Sequence, residues 1–224
     1  FNRIEFISKE QMTNQSTSHL FMIEPESFNC NEQTASSNHY QEKHALENSE
    51  EISAKALAEF HALKNEITKR GIEVTFLKGS KDCPDHIFPN WFITFEDKTM
   101  QIFSMMAPNR RMEKKPEMIE HLKKTYKLTS DMSSLEDKNI FLESTSSMVF
   151  DRVNNCVYAG ISERTNKMQL EKWCNENGYE LIVFETESHT GASIYHTDVL
   201  MYVGTEIIGT VSYTHLTLPT IVGV

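Results

Sequence analysis

Apolar residues recur at threes and fours between Glu50 and Arg70, where Ile52, Ala56, Leu57, Phe60, Leu63 and Ile67 share one helical face and Gly71 stands just past the end as a stop. One residue further on, Ile72 to Leu77 alternates apolar and polar side chains, the period of a half-buried strand. The short run from His19 to Ile23, bounded by Ser and Pro, predicts a buried strand before that helix. Trp91 to Phe95 and Met100 to Ser104 read as two strands joined by Glu96 to Thr99 as a hairpin turn, and Pro116 suits the first turn of a helix reaching Tyr126. Strand patterns at Phe141-Leu142, Ser147 to Phe150 and Cys156 to Ile161 follow, with a turn at Asn154-Asn155. A helix over Asn166 to Glu176 then ends at Asn177-Gly178, and Glu180 to Phe184 and Val199 to Val203 return to strand. The order strand, strand, helix, strand therefore occurs at least twice. The pattern predicts a mixed α/β domain of repeated ββαβ units.

Composition narrows the function classes. Over 224 residues, 39% hydrophobic and 24% charged content describes an ordinary globular chain able to bury a core. Lys plus Arg 22 against Asp plus Glu 32 gives a net charge of −10, which disfavours nucleic acid as a partner. No apolar run approaches the roughly 20 residues of a membrane helix, so no membrane partner is expected. Cys30, Cys83, Cys156 and Cys174 lie far apart with no C-x-x-C spacing, and no leader pattern opens the chain, so the expected location is cytoplasmic. Residues 1–11 precede Met12 and read as possible upstream read-through. The run Val211 to Thr220 is similar to a translated sequencing adapter, so 210–224 is expected to be a non-native tail, the alternative being a Thr-rich natural strand.

Several residues have types suited to chemistry. His196 and Asp198 stand two apart before an apolar strand, on one side of it if the pleat begins there, where a ring and a carboxylate can face one ligand. The plain alternative is a pair of surface polar residues. Glu143 ends a strand pattern at a Ser-rich run, either projecting into a cleft or acting as a solvated turn acid; Asp85 lies in a loop entering a strand, where an Asp often satisfies turn backbone. Arg110 and Arg164 can pair bidentately with a carboxylate or remain solvated. A metal site at His86, His189 or His196 lacks any helical His spacing, and neither a phosphate loop nor a dinucleotide fingerprint is present.

Read together, Phe28-Asn29, Asn31 to Ala35, Asp85 to Asn90, Met106 to Arg111, Leu142 to Thr145 with Ser147 to Val149, Ile161 to Thr165 and Tyr195 to Asp198 resemble, in this order, the arginine-deiminase-related proteins. The amidinotransferase-like group that includes citrulline-utilisation hydrolases is the nearer likeness, dimethylarginine dimethylaminohydrolase the more distant. The resemblance covers about Met12 to Gly209. It implies the pentein fold, a five-bladed α/β propeller of ββαβ units, partial over residues 12–209, and a hydrolase of guanidino or ureido groups in a small amino-acid substrate such as arginine or citrulline, with no cofactor. It implies that His196 is the general acid/base, that Glu143 orients it or holds substrate, that Asp198 grips the guanidino or ureido group, that Arg110 and Arg164 bind the substrate α-carboxylate and that Asp85 lines the site.

Three departures accompany the resemblance. The family nucleophile is a cysteine well after the His-x-Asp motif, and no cysteine follows His196. Trp91 stands where relatives carry a second polar or acidic residue. Ser144 and Ser146 replace glycines common after the site glutamate. The expectation is a truncated, inactive and association-prone copy of such a hydrolase; the alternatives are a non-catalytic binding module for arginine-like amino acids, or an amidinotransferase using an amine acceptor. Oligomeric state is left open.

Overall fold

Alternation from Glu73 and the apolar run from His19 place two strands side by side. In the computed structural model, which describes residues 15–35, 38, 49–188 and 191–211 and the backbone of 215–217, β1 (His19–Glu24) pairs parallel with β2 (Glu73–Lys78), His19 opposite Glu73. Helix α1 (Ser49–Lys69) makes the crossover, with Glu50 and Glu51 in its first turn and Lys69 in its last, each favourable to the helix dipole. Gly71 then takes φ +80, a conformation only glycine adopts without steric cost. Residues 1–11, most of 210–224 and His189 lie outside the described residues.

Two complete ββαβ units follow. In the first, β3 (Phe92–Thr94) and β4 (Thr99–Ile102) form an antiparallel hairpin whose turn is held by Asp97, accepting from the Thr99 amide and hydroxyl. Helices α2 (Pro108–Arg111) and α3 (Pro116–Leu122) lead to β5 (Lys127–Asp131), parallel to β4 with a register shift at Met100/Gln101. In the second, β6 (Val149–Asp151) and β7 (Cys156–Gly160) are antiparallel, α5 (Lys167–Asn177) starts on an Asn166 cap and ends on Gly178 at φ 72, and β8 (Glu180–Glu187) runs parallel to β7. A further hairpin, β9 (Met201–Val203) with β10 (Ile208–Thr210), follows, and β11 (His215–Thr217) pairs antiparallel with β8.

The predicted order of elements is present, with local corrections. Phe141-Leu142 is no strand; Leu142 makes an isolated bridge to Thr165. Ser147 belongs to the short helix α4 (Ser144–Ser147), so the strand predicted from it begins at Val149. The helix from Pro116 stops at Leu122, and β9 begins at Met201, because Thr197 to Leu200 folds as a turn instead. The pattern gave no sign of β5, α2 or the 3-10 turn at Ser133–Lys138.

One apolar cluster gathers Phe103, Leu142, Met148, Val157, Leu170 and Trp173 between the two complete units; another gathers Ile23, Trp91, Phe92, Met100, Ile102 and Met118 behind the first. Trp91 has no exposed surface, so its bulk is spent in the core. The units are also joined by buried polar groups: the Trp173 indole donates to Gln101 Oε1 at 2.7 Å, and the Gln101 amide donates to Asn177 Oδ1 at 2.7 Å. Gln15 reaches the β6–β7 turn, donating to Asp151 and accepting from the Arg152 amide. Among the described residues no helix is long and apolar enough to cross a membrane.

Candidate active site

The Ser-rich run after Leu142 makes one tight turn that carries the site. Leu142 is anchored by its amide to Ser104, and Glu143 caps α4. Ser144 adopts φ 43, the left-handed region, and its hydroxyl donates to the Phe92 carbonyl at 2.9 Å. The turn thus keeps a glycine-like backbone with serine in place. The Ser147 hydroxyl accepts from the Glu143 amide at 3.0 Å and from the Thr165 hydroxyl at 2.9 Å, and donates to the Arg164 carbonyl at 3.0 Å. One buried hydroxyl therefore fixes the backbone of both Glu143 and Arg164.

The Glu143 carboxylate has no exposed surface. Its Oε1 accepts from the Met106 amide at 2.9 Å; its Oε2 lies 2.6 Å from His196 Nε2 and 3.7 Å from Arg164 Nη1. Burial opposes ionisation, but the His196 hydrogen bond and the charges of His196, Arg164 and Arg110 win and hold the carboxyl down at about 2. The His196 ring is buried against Tyr195, and the Arg164 guanidinium lies 4.7 Å from the centre of the same tyrosine ring.

The loop between β8 and β9 presents His196 to this carboxylate. Thr197 and Asp198 both donate their amides to the Ser146 carbonyl, and the Thr197 hydroxyl donates to the Ser147 carbonyl at 2.7 Å. The pleat expected to align His196 with Asp198 is absent. His196 turns into the core while Asp198 stands at the rim, only partly open to solvent, its Oδ2 accepting from the Ser146 hydroxyl at 2.9 Å. Dehydration of its surroundings raises the Asp198 carboxyl, and the neighbouring His196 charge works against that rise.

Asp85 and Arg110 form the other half. Asp85 is half-buried, its Oδ2 accepting from Asn31 Nδ2 at 2.6 Å; Asn31 in turn accepts from Asn109 Nδ2 at 2.7 Å, and Gln33 accepts from the Asn109 amide. Arg110, expected to face a substrate carboxylate, is 3% exposed; its guanidinium contacts buried Glu113 and the Phe88 carbonyl. Burial works against its charge and the neighbouring acids Glu113, Glu143 and Asp85 outweigh it, so Arg110 links the two halves electrostatically.

The structure thus brings Glu143, His196 and Arg164 into direct contact, sets Asp198 beside them on Ser146, and joins Asp85 to Arg110 through Asn31 and Asn109. Sequence reasoning passed over Glu113, Ser147, Asn31 and Asn109 as site residues. Asn31 and Asn109 lay inside the quoted motifs, whereas Glu113 lies just past a four-residue helix that leaves no periodic signal. Burial pushes the thiols of Cys83, Cys156 and Cys174 up, the last two to about 11 and about 12, which disfavours the thiolate a nucleophile needs. Among the described residues no group of three or more His, Cys, Asp or Glu side chains is placed to hold a metal ion.

The solved N-terminal domain of ArgZ bound to substrate, an arginine dihydrolase from the ornithine-ammonia cycle in cyanobacteria, superposes with a TM-score of 0.64 at 16% identity, covering 82% of this chain and 62% of that one. The complex of an AgrE mutant with L-arginine gives a TM-score of 0.64 at 17% identity over 85% of this chain and 26% of that one. A dimethylarginine dimethylaminohydrolase adduct with 4-chloro-2-hydroxymethylpyridine gives 0.55 at 18% identity over 83% of this chain and 64% of that one. The chain therefore spans less than two thirds of these relatives' length, and the likeness identifies a pentein-type α/β fold. No curated protein sequence matches. The model of the family described as N,N dimethylarginine dimethylhydrolase, eukaryotic, matches residues 24–212, and the chain belongs to that family.

Proposed function

We propose that this protein is a hydrolase, or the larger part of one, that cleaves a C–N bond in the guanidino or ureido group of an arginine-like amino acid. The observation that carries the reading is the sealed pair of Glu143 and His196, 2.6 Å apart with Arg164 beside them. A carboxylate held ionised next to an imidazole fixes the direction of the ring. In the proposed reaction a cysteine thiolate adds to the central carbon of the head group. The C–N bond then breaks, His196 gives its proton to the departing amine, and an amidino-thioether remains. His196 next takes a proton from water as its oxygen adds to the same carbon; the C–S bond breaks and the thiolate is regenerated. Asp198 and Asp85 face the cationic head group in this account, and Arg164 with Arg110 the α-carboxylate. No step draws on a metal or organic cofactor.

The nucleophile belongs in our reading to a segment following this sequence, since no cysteine lies after His196. That same fact favours a second reading, a binding module that holds arginine-like molecules without turnover. Release of ammonia or ornithine from arginine, citrulline and methylated arginine separates the two. The measurement compares the 224-residue chain with one continued to the end of its reading frame. Turnover only in the continued chain, lost on His196→Asn, is the expected result. Binding without turnover in both overturns the hydrolase in favour of the module.

A further inference from the structure

Glu113 is fully buried three residues after Arg110, and the proposed reaction gives it no task. Its Oε1 lies 2.6 Å from Arg110 Nε and its Oε2 3.2 Å from Nη2, while Nη2 also donates to the Phe88 carbonyl. Nε, though 2.6 Å from Oε1, is buried without a hydrogen bond, and among the described residues Nη1 makes none either. A guanidinium gripped along one edge has a fixed direction. A carboxylate so close also cancels much of the positive charge that would draw in another anion.

We propose that Glu113 is a positioning residue that aims Arg110 and sets how much positive charge its remaining Nη1 offers the α-carboxylate of the substrate. The proposal rests on the function inferred above and adds a regulation of that site. The charged and titratable groups around Glu113 are Arg110 on its own segment, Cys83, Asp85 and His86 on the loop before β3, Glu143 at the head of α4, and Lys115 just beyond. Burial pushes the Glu113 carboxyl up, to about 8, with Asp85 and Glu143 reinforcing the rise and Arg110 pulling against it. Burial and the Arg110 charge lower His86 to about 4, so His86 keeps its neutral form across the range in which Glu113 ionises. Below pH 8 Arg110 offers its full charge to a ligand. Above it the pair is neutral and the pull on an incoming carboxylate weakens.

Calorimetry tests this with two probes, arginine and agmatine, which carries the guanidinium but no carboxylate. Both are titrated into the wild-type protein and into Glu113→Gln, from about pH 6.5 to about pH 9.5. The expected result is a loss of arginine affinity across pH 8 roughly ten-fold greater in the wild type than in the variant, whose residual change reports the α-amino group of the probe, and no such difference between the two proteins for agmatine. Equal changes for agmatine, or the same arginine profile in both proteins, overturn the proposal while leaving the proposed function standing. Failure of the wild type to bind either probe overturns the function and this proposal with it. Should Glu113→Gln fail to fold, carboxyl-carbon NMR of the wild type decides. By linkage, arginine must raise the Glu113 titration and agmatine must leave it in place; any other pattern refutes the assignment.

Discussion

A carboxylate sealed from water stays charged only where donors and cations outweigh its burial, and Glu143 has the Met106 amide, His196 and Arg164 for that purpose. Removing it leaves a buried imidazole and guanidinium without their anion. Glu143→Ala is expected to cost about 3–5 kcal/mol in urea denaturation, and Glu143→Gln less, because the amide retains an acceptor. The acid limb follows from the depressed carboxyl. The stabilisation is whole above the unfolded value of 4.5 and fades as pH falls toward about 2, so the gap between wild type and Glu143→Gln should narrow only below about pH 4.5. Ser144 offers a second check. Alanine keeps the left-handed strain and loses the bond to Phe92, for an expected loss of about 1 kcal/mol, whereas glycine loses the bond but relieves the strain and should unfold closer to the wild type. At this scale the sequence exposed residue types but not commitments. Glu143 and His196 stood out by motif, yet that Arg110 would be turned against Glu113 depends on a four-residue helix too short to leave a periodic trace.

Among the elements, the long signals were readable and the short ones were not. Helix α1 carries its apolar positions over five turns, and α5 is bracketed by an Asn cap and a glycine, so each was legible from sequence alone. Strand β5 escaped notice because Lys127–Asp131 contains one large apolar residue, Leu128; its place is set by pairing with β4, a tertiary cause invisible in a local window. The loop of His196 was misread for the opposite reason. Its neighbours Val199 and Leu200 look like strand, but the amides of Thr197 and Asp198 are claimed by Ser146. Contact between the two complete ββαβ units depends on the buried Trp173–Gln101–Asn177 chain. Trp173→Phe keeps most of the packing and leaves the Gln101 oxygen unpaired, so a loss of about 1–3 kcal/mol in urea denaturation is expected.

For the molecule as a whole, two buried groups pull the pH dependence of folding in opposite directions. His86 is depressed from 6.5 to about 4, so the unfolded chain takes up its proton more readily and stability is lost as pH falls through that window. Glu113 is raised from 4.5 to about 8, so the native state holds the extra proton and stability declines as pH rises through that interval. Denaturation midpoints measured against pH should show the loss with rising pH between 4.5 and about 8 in the wild type and not in Glu113→Gln, while the acid decline from His86 persists. Of the six sequence-derived site residues, Arg110 lies on α2 and the other five on loops between elements.

Those loops are far apart along the chain: Glu143 meets His196 across 53 positions, and Asn31 meets Asn109 across 78. Each such closure costs chain entropy before any contact returns it. Refolding from denaturant should therefore be slow for a chain of this size, with helical signal recovering early and competence to hold a small ligand appearing only in the final kinetic phase.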